Sequence, residues 1–422
     1  MVPSLRLPRR TSLLEFLFLL ALAFSLFYFF LLPGFHDYAK SGPLQQIKAS
    51  QNNREIPLPC SLLSGANDTV VVLKTSAAEI EDRLPIHFDT TLLCYPNYLI
   101  FSDYAEKFQG YPVHDALATV DKSFRTSHPD FELWRRLQKH GPDGLEDEEI
   151  WDPERTTKDL DKWKYLPIVE QTFLRFPEKQ WYIFVETGTF VFWNGLLEFL
   201  SELDAERTWF LGGNMGSGIV LSNAAVRDVV GLYRETREGW DAFTETQSSG
   251  DAVLAQALKE AGVELTPSWP VFQGRRLADM QYDRMGLWCS RTVSYAGVEK
   301  GNIAELWKFE QQWLRDNPTT PLLHRDIFTS FILPRLIIRS GRVDDWDNSS
   351  QDNATPAGNV DACTGICVAD PECVQYSFEK DKGMCRFSGT SRLGEGRSGV
   401  ESRWLLARVK RWGEGMGGCE GV

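Results

Sequence analysis

Basic charge is scarce in this chain. Its 422 residues carry 45 Lys and Arg against 58 Asp and Glu, a formal net charge of −13. A nucleic-acid partner needs a clustered basic face, so the charge balance argues against that class. Paired CxxC knuckles are also missing, which counts against zinc among the eight cysteines. The densest glycine stretch, Gly212-Gly213-Asn214-Met215-Gly216-Ser217-Gly218, lacks the Gly-Lys-Ser/Thr ending of a P-loop. The length leaves room for one large globular domain and a small second one.

What is present begins with a long apolar run, Leu13 to Leu32, broken only by Glu15, Ser25 and the Tyr28 hydroxyl. Such a run can cross a bilayer. Arg6, Arg9 and Arg10 precede it and keep that side cytosolic. A cleaved signal peptide is the competing reading, but it wants a shorter run and a small-x-small site, whereas this run ends Phe-Phe-Leu-Leu-Pro-Gly. The expectation is an uncleaved signal-anchor: 1–12 a cytosolic tail, 13–32 the span, 33–66 a stem of Gly, Pro, Gln, Asn and Ser. The remainder would lie in the secretory lumen. Disulfides are permitted there, and sequons at Asn67, Asn348 and Asn353 become usable.

The organising stretch is Trp181 to Trp193, WYIFVETGTFVFW. Its first five residues have no polar alternation, the pattern of a strand buried on both faces. Glu186-Thr187-Gly188 then falls at the carboxyl end, where ligands gather in open α/β sheets. A core strand followed by an ordinary acidic turn is the plain alternative. Val70–Leu73, a helix over Ala77–Leu84, and Tyr98–Phe101 form a βαβ pattern. Lys74, Thr75, Ser102 and Asp103 close those strands, as nucleotide contacts or as turn and capping residues. Leu160–Phe176 has helical apolar spacing, with Pro167 suggesting a kink or a break inside it. Further helices are expected over Leu196–Leu203, Ala252–Ala261 and Ile303–Trp313, and strands at Trp209–Leu211 and Ile219–Ser222. Asp251 sits at an N-cap or first turn. Cys363, Cys367, Cys373, Cys385 and Cys419 crowd the last stretch, which reads as a disulfide-stapled module, with zinc as the rival.

Several blocks, in order, resemble the fungal Fringe-like glycosyltransferases of family 31. They are Val71–Asp103, Leu160–Trp193, Met215–Ala225, Gly250–Gly274 and Asn302–Trp313. The likeness spans roughly 67–335. Cys363–Phe378, CTGICVADPECVQYSF, resembles a PAN/apple-like module, giving a second domain at 336–422. The resemblance implies an α/β, GT-A-like (Rossmann-like), mostly parallel sheet flanked by helices. It also implies a single-pass type II Golgi membrane protein with its catalytic domain in the lumen. The implied reaction moves a hexose, of galactose or N-acetylhexosamine type, from a UDP-sugar to a glycan or glycoprotein hydroxyl with inversion. Asp251 would be the base. Lys74, Thr75, Ser102, Asp103, Glu186, Gly216, Ser217 and Gly218 would bind the nucleotide-sugar. Mn²⁺ is the cofactor implied.

Two departures touch that ion. Gly188 and Ala296 stand where the family has a metal-binding aspartate and histidine, leaving Glu186 as the single protein ligand. An active enzyme would then need either a weak, nucleotide-held metal or a protein cation such as Arg275, Arg276 or Arg291 to offset diphosphate charge. The plain alternative for each arginine is solvated surface. The alternative is a catalytically silent relative that binds a nucleotide, a glycan or a partner.

Overall fold

The Val-Val-Val-Leu run forms β1 (Thr69–Lys74), buried at every position. Val70 and Val72 enter one core while Val71 and Leu73 enter another, which is why the strand reads without polar alternation. The computed structural model describes residues 59–145, 158–214, 216–283, 286–339 and 341–419. The expected span at Leu13–Leu32, the stem up to residue 58, most of the acidic run from Asp143 to Glu149, and Met215 lie outside the described residues. Among the described residues no helix is long and apolar enough to cross a membrane. The chain divides into two units, Met1–Ile56 and Pro57–Val422, and every described element belongs to the second.

After β1 comes α1 (Ile80–Arg83), then β2 (Tyr98–Ser102), β3 (Glu106–Phe108) and β4 (Tyr111–Asp115). The helix expected over Ala77–Leu84 is shorter than its pattern. The Ala77 amide is held by Asp103 Oδ2 at 3.0 Å, and Pro85 opens a separate turn. Next are α2 (Tyr165–Arg175), β5 (Trp181–Glu186), β6 (Phe190–Val191), α3 (Trp193–Ser201), β7 (Phe210–Asn214) and β8 (Gly218–Ser222). The Leu160–Phe176 stretch is broken ahead of Pro167: a helical turn ends at Asp161 and α2 begins anew at Tyr165. Pro167 itself lies in the first turn of α2, where its absent N–H would have no intrahelical partner anyway. Then come α4 (Asn223–Glu235), α5 (Gly250–Glu260), β9 (Leu265–Pro267), β10 (Phe272–Arg276), β11 (Ser294–Ala296) and α6 (Lys300–Asp316).

The large sheet has the order β3-β4-β2-β1-β5-β8-β7-β9. β4, β2, β1 and β5 are mutually parallel, and the direction reverses at β8. The fold is thus mixed α/β, with a mostly parallel sheet flanked by helices. On one face Leu166 and Val169 of α2, Val226 and Val229 of α4, and Leu254 and Ala257 of α5 pack on Val72, Tyr182 and Phe184. On the other, Trp193, Leu196 and Leu200 of α3 pack on Val71, Ile183 and Val185. A small sheet, β10-β11-β6, joins the segment after β5 to the later chain. The Cys60–Cys94 disulfide ties the start of the described chain to the turn before β2, and the Cys60 carbonyl accepts from Trp193 Nε1 at 3.1 Å.

The carboxy-terminal part adds β12 (Val343–Asp347), β13 (Asn353–Pro356), α7 (Val360–Ala369), β14 (Gln375–Glu379), β15 (Met384–Ser388) and β16 (Glu395–Trp404). Its antiparallel sheet runs β12-β16-β14-β15-β13. Cys363–Cys385 pins α7 to β15, and Cys367–Cys373 closes the turn after α7. Cys419 does not belong to that staple set: it bonds Cys289, 130 residues earlier. All eight cysteines are therefore in four disulfides, which overturns the zinc alternative. Trp404 and Val409 share a core with Tyr282, Trp288 and Phe328, so this part packs directly on the preceding chain.

Candidate functional site

Strand periodicity places charge at one end of the sheet. Lys74 and Glu186 are register partners at the tips of β1 and β5, and both sit on the face that carries α2 and α5. Lys74 Nζ lies 3.1 Å from Glu186 Oε1 and 2.7 Å from Asp161 Oδ2. Asp161 closes a helical turn at 158–161, ahead of α2. Lys164, three residues on, pairs with Asp103 Oδ1 at 2.6 Å and with Asp161 Oδ1 at 3.3 Å. Two buried lysines and two carboxylates thus form a closed network beneath Glu186, whose side chain is 40% exposed.

Burial works against the charge on Lys74, but Asp161 and Glu186 outweigh it and hold the ammonium above its ordinary value. Burial likewise opposes charge on Asp161, and Lys164 and Lys74 keep that carboxyl below the usual range. The members of the network are fixed by one another.

Tyr165, the first residue of α2, links this network to α5. Lys74 Nζ donates to its hydroxyl at 3.4 Å and lies 4.7 Å from its ring centroid. Tyr165 donates onward to Asp251. Burial, then the charges of Asp161, Asp251 and Glu186, push the phenol far up, so it stays protonated as a donor. Asp251 lies in the first turn of α5, behind the N-cap Ser249, whose hydroxyl accepts from the Ala252 amide at 3.4 Å. Gly250 is what lets the helix approach: a Cβ there would fall 2.0–2.6 Å from three atoms of the Tyr165 ring. Glu186 and Asp251 therefore both act on the Tyr165 hydroxyl, one from the tip of β5 and one from the first turn of α5.

The glycine loop lies beside Glu186. A Cβ on Gly216 would lie 3.7 Å from Glu186 Oε2, and the Gly216 carbonyl accepts from Thr189 Oγ1 at 2.9 Å. Asn214 Oδ1 receives the Ser217 amide at 2.8 Å, and the Ser217 carbonyl receives Ser294 Oγ at 2.5 Å. Gly218 has φ of +93° and packs on Val185 and Phe272. Thr75, Ser102 and Asp103 are buried: Thr75 gives its carbonyl to Lys164 at 3.3 Å, and Asp103 holds Lys164 and the Ala77 amide. None of these three side chains is open to solvent.

The turn after β5 is fixed from outside. Its Thr187 carbonyl meets His87 Nε2 at 2.9 Å, and burial lowers that imidazole to about 4, so it is neutral. The Gly188 carbonyl accepts from the Val298 amide at 2.7 Å. A Cβ on Gly188 would sit 3.6 Å from Arg83 Nη1 and 3.9 Å from the Gly297 Cα. Gly188 and the segment beginning at Ala296 are thus neighbours, and the cation beside them is Arg83. Tyr295 turns into the core, where its hydroxyl meets His324 Nδ1 at 2.8 Å. A cavity of ≈450 Å³ opens here, lined by Asp82, Arg83, Thr187, Glu299, Lys300 and Gly301.

Of the arginines raised by the sequence, Arg291 pairs with Glu202 at 2.5 Å, and Arg276 is held by Asp279 at 2.7 Å and Glu395 at 2.6 Å. Arg275 is exposed. Sequence reasoning did not single out Arg83, Asp161, Lys164 or Tyr165 as site residues. The charged series Lys158-Asp159-Leu160-Asp161-Lys162-Trp163-Lys164-Tyr165, just ahead of a helix, was the available signal.

Among the described residues no three His, Cys, Asp or Glu side chains converge as a metal-holding group. Glu186 already shares its carboxylate with Lys74, and Gly188 and Ala296 offer no donor. One shared carboxylate does not make a cage for a divalent ion. No protein-family model matches the chain, and no curated protein matches it.

Proposed function

We propose that this chain is a Fringe-like glycosyltransferase-family protein whose hollow at the tips of β1 and β5 takes a UDP-sugar, in a GT-A-like setting, on the lumenal side of a Golgi membrane. The observation that carries this reading is the bridge from Asp251 through Tyr165 to Lys74 and Glu186. It joins a helix-borne carboxylate to a strand-borne one at the carboxyl ends of parallel strands, where ligands gather in open α/β sheets.

In this reading Asp251 accepts the proton of an acceptor hydroxyl as that oxygen attacks the anomeric carbon. The bond to the UDP oxygen breaks with inversion. Tyr165 fixes the orientation of Asp251, and Glu186 accepts hydroxyl hydrogens of the sugar. The glycine loop lets backbone approach the donor. Mn²⁺ would offset diphosphate charge, but the side chains present do not form a resident site for it, so no step is drawn through a metal.

A second reading rests on charge. Lys74 and Lys164 face Asp103, Asp161, Glu186 and Asp251, which leaves the hollow acidic. An acidic opening repels a diphosphate that brings no cation and suits sugar hydroxyls. A silent glycan- or partner-binding relative fits that balance. Calorimetry of the full chain with UDP and UDP-sugars, with and without Mn²⁺, separates the two. UDP binding with measurable turnover supports the transferase. Nucleotide binding without turnover supports a silent nucleotide binder. No nucleotide binding removes the UDP-sugar assignment.

A further inference from the structure

The carboxy-terminal sheet reaches the turn after β5 through one side chain. Arg276 ends β10, and its stem lies over Gly297: a Cβ at that residue would fall 2.5 Å from Arg276 Cγ and 3.0 Å from Cδ. Gly297 takes φ of +54°, and its Cα lies 3.9 Å from the Cβ position of Gly188. The adjacent Val298 amide donates to the Gly188 carbonyl at 2.7 Å. Arg276 therefore clamps the segment on which the Glu186–Gly188 turn rests.

The head of the same arginine is held from the other side. Glu395, the first residue of β16, takes Nη1 at 2.6 Å, and Asp279 takes Nη2 at 2.7 Å. Asp279 is itself tied to the carboxy-terminal part, since its other oxygen accepts from Ser349 Oγ at 2.6 Å. The Gly394 amide donates to the Ala278 carbonyl at 2.9 Å, and Cys289–Cys419 fastens the last residues nearby in sequence. With two carboxylates on one guanidinium, Arg276 has no charge left to offer an anion.

We infer that Glu395 and Arg276 are positioning residues for the hollow, so that the carboxy-terminal module forms part of its supporting wall rather than a separate binder. This rests on the function proposed above for its ligand, UDP, but not for its geometry. The order of contact is Glu395, Arg276, Gly297, Gly188 and then Glu186. A break at the first link loosens the turn that presents the last.

The test uses the full chain with Glu395→Gln and, separately, Arg276→Met, which keeps the stem but removes the head. Two quantities are measured: UDP affinity, and hydrogen exchange at the Val298 amide. Both variants are expected to weaken UDP about tenfold, the size of a typical coupling between sites. Both should speed exchange at Val298 while leaving the Val374 amide, bonded to Ser388 O within the module, as protected as in the parent. Tighter UDP binding by Glu395→Gln would overturn the inference, because it would mean that the freed Arg276 is a diphosphate ligand. Unchanged exchange at Val298 in both variants would also overturn it. If the parent binds no UDP, the proposed function fails, and Val298 exchange alone still decides the positioning role.

Discussion

Lys74 and Glu186 end adjacent parallel strands as register partners, and their side chains close a 3.1 Å ion pair at the sheet edge. Lys74 also neutralises Asp161 from a buried position. Replacing it by Met leaves Asp161, whose side chain is 33% exposed, with Lys164 as its remaining cation. We expect Lys74→Met to cost about 1–3 kcal/mol, the range for leaving a partly buried polar group without its partner. Urea denaturation of parent and variant measures it, and a loss below about 1 kcal/mol, as for a surface pair, would mean the network is not structural.

Gly250→Ala should act on the same site without touching a charge. The added methyl would overlap three atoms of the Tyr165 ring, at 2.0–2.6 Å, so the ring or the helix must shift. Overpacking of this kind costs about 1–3 kcal/mol. The separate expectation is loss of the Tyr165–Asp251 contact, seen as a change in Tyr165 ultraviolet absorbance. Gly231→Ala, in open space on α4, is the control and should be neutral or stabilising.

Buried Glu310 of α6 gives a pH dependence. It accepts the Asn194 amide at 3.2 Å at the start of α3, and burial, partly offset by the Asn194 and Trp193 amides, raises it from 4.5 to about 8. The folded state then holds a proton that the unfolded chain has released, so stability falls as pH rises from about 4.5 to about 8 and is flat above. Glu310→Gln removes that slope, and above pH 8 it should be the more stable protein by roughly 3–5 kcal/mol at full extent. Thermal unfolding from pH 5 to 9 checks both the sign and the plateau.

The three sequons should not be equivalent. Asn67 and Asn353 are exposed, but Asn348 is wholly buried, and its amide donates to the Tyr376 carbonyl at 2.9 Å and the Arg403 carbonyl at 3.2 Å. A glycan on Asn348 would remove those bonds. Secreted material is expected to carry glycan at Asn67 and Asn353 and none at Asn348, by mass spectrometry of peptides. Asn348→Asp should destabilise by about 1–3 kcal/mol, since it replaces a buried donor with an acceptor facing carbonyls.

Restoring metal ligands tests the turn after β5. Gly188→Asp with Ala296→His alone should raise Mn²⁺ affinity little, because the new carboxylate would lie against Arg83, whose Nη1 is 3.6 Å from its Cβ position. Adding Arg83→Ala should raise it further. If the triple variant binds Mn²⁺ no better than the parent in calorimetry, the turn does not face the cleft.

Local chemistry made part of this legible in the sequence. The unalternating runs at 70–73 and 181–185 announced strands covered on both faces, and Glu186 at a strand tip followed from strand direction alone. Asp251 was readable as a first-turn acid, but nothing local said what it would face. Its partner Tyr165 sits 86 positions away, and the glycine that admits it is explained only by contact. Asp161 and Lys164 were hidden because they fall at the break between a turn ending at Asp161 and α2, outside the apolar helical repeat, and their partners Lys74 and Asp103 lie far away in sequence. The Cys289–Cys419 bond crosses 130 residues, and cysteine spacing carries no signal for such a pairing. Arg83 beside Gly188 is likewise a product of tertiary folding.

The Cys60–Cys94 link lies nine residues before β1 begins. Any pull arriving along the preceding polypeptide meets a covalent fastener there, so the load passes to the turn at Cys94 and into the body of the domain. The central strand, with Lys74 at its far end, is thereby isolated from traction on its own leader.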